Sequence, residues 1–318
     1  MPEPIIHDGD HGSDDFVATL LLAARPDLFD LLGVATGFGN TSVGNAARNA
    51  GLALSLAGRP DVPVLAGSDR PLRKADPEGD NAFDEDGLGG AHFPIAAPEP
   101  AAGGAVAWMA KKISESPAPV TICATGLMTN IARLLGEHPD VRRRIGRIVA
   151  MGGCLGPLGP GGRCGNITPW AEFNFHMDPD AADFVLNSGV PVTLLPLDAT
   201  HQTVFTPGRQ RALSERLPAL HARELTRMMR AAEKYDMPKF GLDGAAFHDQ
   251  NVPLYLMAPH LYEGRDVTVS VNTDHGDERH GQMIAAREGG PVRLIERIAD
   301  PDAAFALMLD VLAGLFPA

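Results

Sequence analysis

Short apolar segments recur along the first two thirds of the chain, and they alternate with segments whose apolar residues repeat at helical spacing. The strand-like segments are residues 4–7, 31–35, 63–65, 119–124, 147–151 and 191–195. The helical segments between them are residues 14–24, 42–57, 102–116, 129–137 and 179–188. This alternation predicts an α/β fold with a mostly parallel central sheet wrapped by helices.

The last third of the chain departs from this alternation. Residues 205–245 have a helical, amphipathic pattern that ends in a polar stretch before Pro238. A strand pattern follows at 267–271 and a helical pattern at 301–315. Because 318 residues with 44% apolar composition can bury one large core, we predict a single domain over residues 1–318. Its 205–245 segment is expected to cap a ligand site.

Two loop segments interrupt the pattern. Residues 69–100 and 152–169 are rich in Gly, Pro and Asp and show no periodicity. Loops of this length are either functional lids or mobile connections. Open α/β sheets bind their ligands at the carboxyl ends of the strands. The motifs that directly follow the predicted strands are therefore where we expect a site.

Charge and cysteine content exclude some classes of partner. The chain has 27 basic and 40 acidic residues, so a nucleic-acid polymer is not an expected partner, although a small ligand is. We expect neither a signal peptide nor a membrane span. Cys123, Cys154 and Cys164 cannot all pair and lack zinc-ligand spacing. Reduced thiols in a cytoplasmic protein are the expectation that follows.

Four carboxylates stand within the segment from Asp8 to Asp15. Asp8 and Asp10 alternate at a strand end and point to the same side, while Asp14 and Asp15 stand where a helix begins and its amides favour negative charge. Such a cluster repels itself unless a cation, a proton or bound hydroxyls neutralise it. Oxygen ligands select a hard ion such as Ca²⁺ or Mg²⁺, so the segment predicts a metal site.

The cluster has competing interpretations. In the simplest one, Asp14 caps the helix and the other carboxylates are solvated. An EF-hand does not fit, since Ser13 and Thr19 stand where that calcium loop needs Gly and Glu. A Mg²⁺-dependent phosphohydrolase that uses the Asp8/Asp10 pair is a second hypothesis. Gly12 replaces the Thr or Val usual in that class, and no late acidic pair is evident at 276–278.

A series of motifs carries a resemblance to a known family. The segment from Asp8 to Asp15 reads Asp-x-Asp-x-Gly-x-Asp-Asp, with His11 where Pro is common. Further motifs follow in order at residues 39–41, 62–67, 124–130, 151–153, 165–174, 178–179 and 248–249. Together they resemble the inosine-uridine-type nucleoside hydrolases over nearly the whole chain. The resemblance implies an open, Rossmann-like fold, hydrolysis of ribonucleosides to base and ribose, and a homodimer or homotetramer.

The resemblance also implies roles for individual residues. It makes Asp10, Asp15, Asp249 and the backbone carbonyl of Thr125 the ligands of a Ca²⁺ ion, with Asp10 as general base towards a water molecule. A His that directly precedes the metal-binding Asp acts as general acid in one branch of the family, and His248 stands there. The residues expected to bind the substrate are Asp14, Asn40, Asn166, Glu172, Asn174, Asp249 and Phe83.

The sequence departs from the family pattern in the first loop. Phe83 stands where many members have a base-contacting His, and Phe stacks on a base but cannot donate a hydrogen bond to it. The loop between Gly153 and Asn166 is also longer than usual. Purine and pyrimidine substrates, and ribose and deoxyribose, therefore stay open. A non-catalytic nucleoside or ribose binder is a third hypothesis.

Other side chains have weaker claims on the site. We expect His7, His11 and His201 to be structural. Trp170, Tyr235 and Phe240 are aromatic candidates for contact with the base, and core packing is the alternative role for at least some of them.

Overall fold

The computed structural model describes residues 1–73 and 86–317. The strands are β1 (Glu3–Gly9), β2 (Phe29–Thr36), β3 (Val64–Ala66), β4 (Val120–Ala124), β5 (Ile145–Met151), β6 (Val192–Leu195), β7 (Tyr262–Val271), β8 (Met283–Glu288) and β9 (Val292–Ile298). They form one nine-stranded sheet in the order β3-β2-β1-β4-β5-β6-β9-β7-β8. The predicted α/β fold with a mostly parallel sheet is confirmed.

Helices flank the sheet. They are α1 (Ser13–Ala23), α2 (Val43–Leu56), α3 (Ala105–Glu115), α4 (Thr129–Glu137), α5 (Phe173–Met177), α6 (Pro179–Leu186), α7 (Leu197–Thr200), α8 (Pro207–Arg216), α9 (Ala219–Arg230), α10 (Glu233–Phe240), α11 (Asn251–Met257) and α12 (Pro301–Leu315). Short 3-10 turns span Pro139–Arg144, Pro160–Gly162 and Pro259–Leu261. The helical pattern predicted over residues 205–245 corresponds to α8, α9 and α10.

All six strands predicted in the first two thirds of the chain are present and run parallel to one another. β9 continues this parallel arrangement beside β6, whereas β7 pairs antiparallel with both β9 and β8. The sequence pattern indicated β7 and α12 but not β8 or β9. The last three strands therefore extend the sheet beyond the predicted alternation.

The sheet separates two apolar layers. Neighbouring residues of β1 point to opposite faces, so Ile5 packs in one layer with Phe16 of α1, and Ile6 packs in the other. Both isoleucines are fully buried. A strand that is covered on both faces reads as a continuous apolar run, which is why β1 was recognisable in the sequence. It also fixes the position of the polar residues that follow it.

The prediction of three reduced thiols is wrong for two of them. Cys154 and Cys164 form a disulfide, and their Cα atoms are 5.8 Å apart. The chain folds back on itself between them, since the backbone N–H groups of Leu158 and Gly159 both donate to the carbonyl of Arg163. An odd number of cysteines forbids only complete pairing. Cys123 is free and buried.

Among the helices that the structure describes, none combines the length and the apolar character needed to cross a membrane.

Candidate active site

The carboxylate cluster lies at the carboxyl end of β1, where the chain turns into α1. β1 ends at Gly9 and α1 begins at Ser13, so Asp10 lies in the turn and Asp14 and Asp15 in the first turn of the helix. Asp10 and Asp15 are buried, and Asp14 is half-buried. The chain reversal between strand and helix thus gathers the side chains that the sequence singled out.

Asn40 holds the carboxylate of Asp10. Its backbone N–H donates to Asp10 Oδ2 at 2.7 Å, and its side-chain Nδ2 donates to Asp10 Oδ1 at 3.2 Å. A Cβ atom at Gly39 would overlap the Asp10 carboxylate, so only glycine allows this approach. The motif after β2 therefore orients Asp10.

Asn130 plays a similar part for Asp8. Its Nδ2 donates to Asp8 Oδ1 at 2.8 Å, while its Oδ1 accepts the backbone N–H of Ser68 at 2.9 Å. Burial raises the pKa of Asp8 to about 7. Asp8 is thus tied to the loop after β3 and to the start of α4, and it braces the edge of the sheet beneath the cluster.

Both oxygens of Asp15 are engaged. The hydroxyl of Thr125 donates to Oδ1 at 2.5 Å, and the backbone N–H of Gly12 donates to Oδ2 at 3.1 Å. Burial acts to raise the pKa of Asp15, but the nearby His11 and the Thr125 hydroxyl outweigh burial and lower it. Asp15 is therefore the carboxylate of the cluster whose charged form the protein itself favours.

The cluster suits a cation. Asp14, Asp15 and Asp249 each offer a carboxylate oxygen, and these oxygens lie within 4.8 Å of one another. Burial and the charges of Asp14, Asp15 and Asp10 raise the pKa of Asp249 well above its usual range. Burial and Asp15 do the same to the pKa of Asp10. Repulsion of this kind is relieved by a metal ion with oxygen ligands, and the residues present fit one.

Asp10 itself is not in the converging trio. The third member of the trio is Asp14, for which the resemblance implied substrate binding. Asp10 lies next to the trio through Asn40, whose Nδ2 is 3.2 Å from Asp10 Oδ1 and 3.5 Å from Asp15 Oδ2. The assignment of Asp10 as a ligand therefore stays a prediction.

The predicted ribose-binding residues line one cavity. Asp14, Asn40, Asn166, Glu172, Asn174 and Asp249 all face it. Asn174 Nδ2 donates to the backbone carbonyl of Thr125 at 3.1 Å. It thereby links the predicted carbonyl ligand of the metal to the predicted sugar site.

Glu172 lies where α5 begins. Its carboxylate accepts the backbone N–H groups of Asn174 at 2.9 Å, of Gly153 at 2.8 Å and of Phe175 at 3.3 Å. Burial nevertheless raises the pKa of Glu172 to about 7. Asn166 Oδ1 accepts the backbone N–H of Phe173 at 2.9 Å, so the loop and the helix start are held to each other around the cavity.

His248 lines the same cavity and is buried. Its Nδ1 is 2.9 Å from the Thr200 hydroxyl, and its Nε2 is 4.0 Å from Asp236 Oδ2. Burial lowers the pKa of His248, and the charge of Asp14 opposes this. The imidazole is thus fixed in orientation by Thr200, with Nε2 towards Asp236.

The cap segment supplies residues that the sequence did not single out. Ala232, Tyr235, Asp236 and Lys239 of the α9–α10 region line the cavity. Of these, only Tyr235 was a candidate. Burial raises the pKa of Asp236 to about 6, and Lys239 Nζ donates to the backbone carbonyl of Asn166 at 2.6 Å. The polar stretch before Pro238 was the signal available in the sequence.

The three histidines that were expected to be structural lie away from the cavity lining. His7 and His11 are fully buried behind the carboxylate cluster, and burial lowers the pKa of His7 to about 3. His201 packs edge-on against Phe240, with ring centroids 4.4 Å apart. Phe83 lies outside the described residues.

Comparisons with known proteins decide the family. The family described as inosine-uridine preferring nucleoside hydrolase matches residues 5–311. The chain belongs to this family. A pyrimidine-specific ribonucleoside hydrolase, RihA of Shewanella woodyi, is 38% identical over 296 residues, which cover 91% of this chain and 90% of RihA. An uncharacterized protein of Schizosaccharomyces pombe is 40% identical over 270 residues, which cover 85% and 84%.

The solved structures agree. A purine-preferring ribonucleoside hydrolase from Gardnerella vaginalis superposes with a TM-score of 0.87 at 25% identity and covers 98% of this chain and 99% of its own. The chain is thus a hydrolase of N-glycosyl compounds that belongs to a metal-dependent family, and it is not a phosphohydrolase. The two named enzymes differ in base preference, so family membership leaves the base undecided.

Proposed function

We propose that the protein hydrolyses the N-glycosidic bond of ribonucleosides and releases free base and ribose. The observation that carries this proposal is one cavity lined both by the oxygen-bearing side chains of Asp14, Glu172 and Asp249 and by His248. Cleavage of this bond builds positive charge on the sugar ring, which carboxylates stabilise. The departing base in turn needs a proton donor.

We infer that the metal is Ca²⁺ and that Asp10, Asp15, Asp249 and the carbonyl of Thr125 hold it. The support is a donor set made only of oxygens, together with the mutual repulsion of buried carboxylates. When bound, such an ion would lower the pKa of a water molecule and hold ribose hydroxyls beside it.

Asp10 is proposed as the general base. Its carboxylate would accept the proton of the attacking water, while the N–H groups of Asn40 hold both of its oxygens in place. Asp14, Asn40, Asn166, Glu172 and Asn174 are proposed to bind and orient the sugar.

His248 is proposed as the group that protonates the leaving base. The Thr200 hydroxyl contacts Nδ1 and leaves Nε2 as the nitrogen that can transfer a proton in the cavity. Lysine or arginine would be too weak an acid for this task at neutral pH, whereas imidazole gives up a proton more readily, and the charge of Asp14 opposes the lowering of the His248 pKa by burial.

The deciding experiment measures release of free base from inosine, adenosine, guanosine, uridine and cytidine after treatment with a chelator, and again after Ca²⁺ is added back. Hydrolysis that stops with the chelator and returns with Ca²⁺ is the expected result. A folded protein that binds nucleosides but releases no base in either condition would instead be the non-catalytic binder.

A homodimer or homotetramer is the proposed assembly, on the strength of the family resemblance, and light scattering of the purified protein tests it. A cytoplasmic location also stays a prediction. The Cys154–Cys164 disulfide removes the cysteine argument that supported it, because stable disulfides are rare in the cytoplasm. Fractionation of cells that express the protein decides the question.

A further inference from the structure

A chain of imidazole and hydroxyl groups runs behind the carboxylate cluster. His11 Nε2 is 3.0 Å from the Thr19 hydroxyl, which is 3.0 Å from His7 Nδ1. His7 Nε2 is 2.8 Å from the Thr125 hydroxyl, which donates to Asp15 Oδ1 at 2.5 Å. Each of these side chains is at least 98% buried. The chain therefore joins β1, α1 and the end of β4 in the deepest part of the site.

The order of the hydrogen bonds follows from the last acceptor. A carboxylate only accepts, so the single hydroxyl proton of Thr125 points to Asp15. Thr125 must then accept the Nε2–H of His7, and the Nδ1 of the neutral ring must accept the hydroxyl proton of Thr19. Thr19 in turn accepts the Nε2–H of His11. Every link thus donates in one direction, towards Asp15.

Burying so many polar side chains costs free energy of folding, so a function for them is expected. Buried hydroxyl and imidazole groups lose their hydration and are tolerated only where they are bonded to each other. His7 lies on the same face of β1 as Ile5, which packs in an apolar layer, yet its ring is bonded to the hydroxyls of Thr19 and Thr125. His11 has a φ of 30°, a backbone conformation that side chains other than glycine rarely adopt.

We propose that the His11–Thr19–His7–Thr125 chain is a positioning device for the metal: it holds Asp15 and the backbone carbonyl of Thr125, two of the four proposed ligands, in the geometry that binds the ion. The inference rests on the metal assignment of the proposed function. Thr125 is the key residue, because its hydroxyl donates to Asp15 while its backbone carbonyl accepts a hydrogen bond from Asn174, and both Thr125 and Asn174 line the cavity. Hydrogen-bond partners of metal ligands commonly set metal affinity in this way.

The test is Ca²⁺ affinity, measured by calorimetry on protein freed of metal with a chelator. Thr125→Val removes the hydroxyl and keeps both the shape and the carbonyl. We expect its Kd for Ca²⁺ to rise about 10- to 100-fold. Thr121→Val is the matched control on β4, where the hydroxyl donates to Glu3 at the other end of the strand. Its Kd should stay within about threefold of the wild-type value.

Two further variants separate positioning from packing. Thr125→Ser keeps the hydroxyl and should bind Ca²⁺ nearly as well as the wild type. A loss in Thr125→Ser as large as in Thr125→Val would assign the effect to packing and overturn the proposal. If His7 acts through Thr125, then adding His7→Leu to Thr125→Val should weaken Ca²⁺ binding little further, although His7→Leu alone weakens it.

The outcomes for the wild type and for Thr125→Val have separate meanings. A wild-type protein that binds no Ca²⁺ would refute the metal assignment in the proposed function. A wild type that binds Ca²⁺, with a folded Thr125→Val that binds it equally well, would refute only the positioning role.

Discussion

Several carboxyl groups of the site are weaker acids in the folded protein than in water. Burial raises the pKa of Glu172 to about 7 and that of Asp236 to about 6. A carboxyl group of this kind costs stability once it ionises. Residues that cost stability persist where binding or catalysis needs them, so Asp236 of the cap helix α10 is as informative as the residues of the motifs.

Asp236→Asn should stabilise the metal-free protein at neutral pH. The folded pKa lies above the ordinary 3.8, so the folded chain binds the proton more tightly and stability falls as pH rises from about 4 to about 6. Asn keeps an oxygen for the backbone N–H of Ala246 but carries no charge. We expect a gain of roughly 1–3 kcal/mol at pH 7.5 and little change at pH 4 in urea unfolding. A gain that is equal at both pH values would rule out the charge as its cause.

Asp10→Asn should abolish most turnover and spare the fold. The amide cannot accept the proton of water, so kcat should fall about 10²- to 10⁴-fold, with an unchanged circular dichroism spectrum. Asp27→Asn, which removes a carboxylate on the surface, serves as the control. Full activity in Asp10→Asn would remove Asp10 as the base.

His248→Gln should affect substrates according to their leaving group. Natural bases need a proton as they depart, so their kcat/KM should fall about 100-fold. The 4-nitrophenolate group of a 4-nitrophenyl riboside departs readily as an anion, so kcat/KM for that substrate should fall less than about threefold. Steady-state kinetics on both substrates checks this. Equal losses would indicate that His248 supports the cavity and donates no proton.

At the scale of secondary-structure elements, the segment between β5 and α5 shapes one wall of the cavity. It contains the Cys154–Cys164 disulfide and ends in Glu172. Arg163 Nη1 donates to the carbonyls of Gly165 and Thr168. A segment without regular structure is thus held by one covalent link and a few side-chain bonds.

Reduction of the disulfide should loosen this wall. Opening a short loop costs roughly 2–3 kcal/mol of stability, and a freer Asn166 should raise KM more than it lowers kcat. The measurement is kinetics and thermal unfolding with and without dithiothreitol. The Cys154→Ser, Cys164→Ser double variant should behave like the reduced protein and should not respond to the reagent. A response in the double variant would point to another cause.

The elements that were predictable share a physical reason. Strands such as β1 and β4 are covered on both faces and therefore contain short apolar runs. β9 was not predicted because Arg293, Glu296 and Arg297 are exposed and interrupt its apolar pattern. The disulfide was not predicted because the Cα atoms of its two cysteines come close together only in the folded loop.

The residues of the site also fall into those that the sequence predicts and those that it does not. Asp10, Asp14 and Asp15 stand together in the sequence at a strand end, and their meeting follows from the fold class alone. Asp236 and Lys239 line the cavity from helix α10. In the sequence they cannot be told apart from polar residues on the surface of any helix. Their role depends on how that helix packs, which no local pattern specifies.

At the scale of the whole molecule, the metal and the fold depend on each other. The proposed ligands come from the turn before α1 and the first turn of α1, from the residue after β4 and from the segment before α11, so an ion would link three distant parts of the chain. Because the unfolded chain cannot bring these residues together, any ion bound to the folded state stabilises it.

Ca²⁺ should therefore raise the melting temperature of chelator-treated protein. At a concentration of about 100 times Kd the gain is about 2.7 kcal/mol. Mg²⁺ should do less, since it prefers a smaller octahedral site. Asp249→Asn should remove the shift in scanning fluorimetry. A shift of the same size in this variant would place the ion elsewhere.

The position of β9 has a consequence for synthesis on the ribosome. β9 lies between β6 and β7 in the sheet, although residues 292–298 follow both in the chain. Until those residues leave the exit tunnel, the edge of β6 has unpaired backbone groups. Another nascent chain can pair with this open edge. The sheet is thus completed only after residues 292–298 have been synthesised. Premature termination before Val292 should yield a product that chaperones retain and proteases remove.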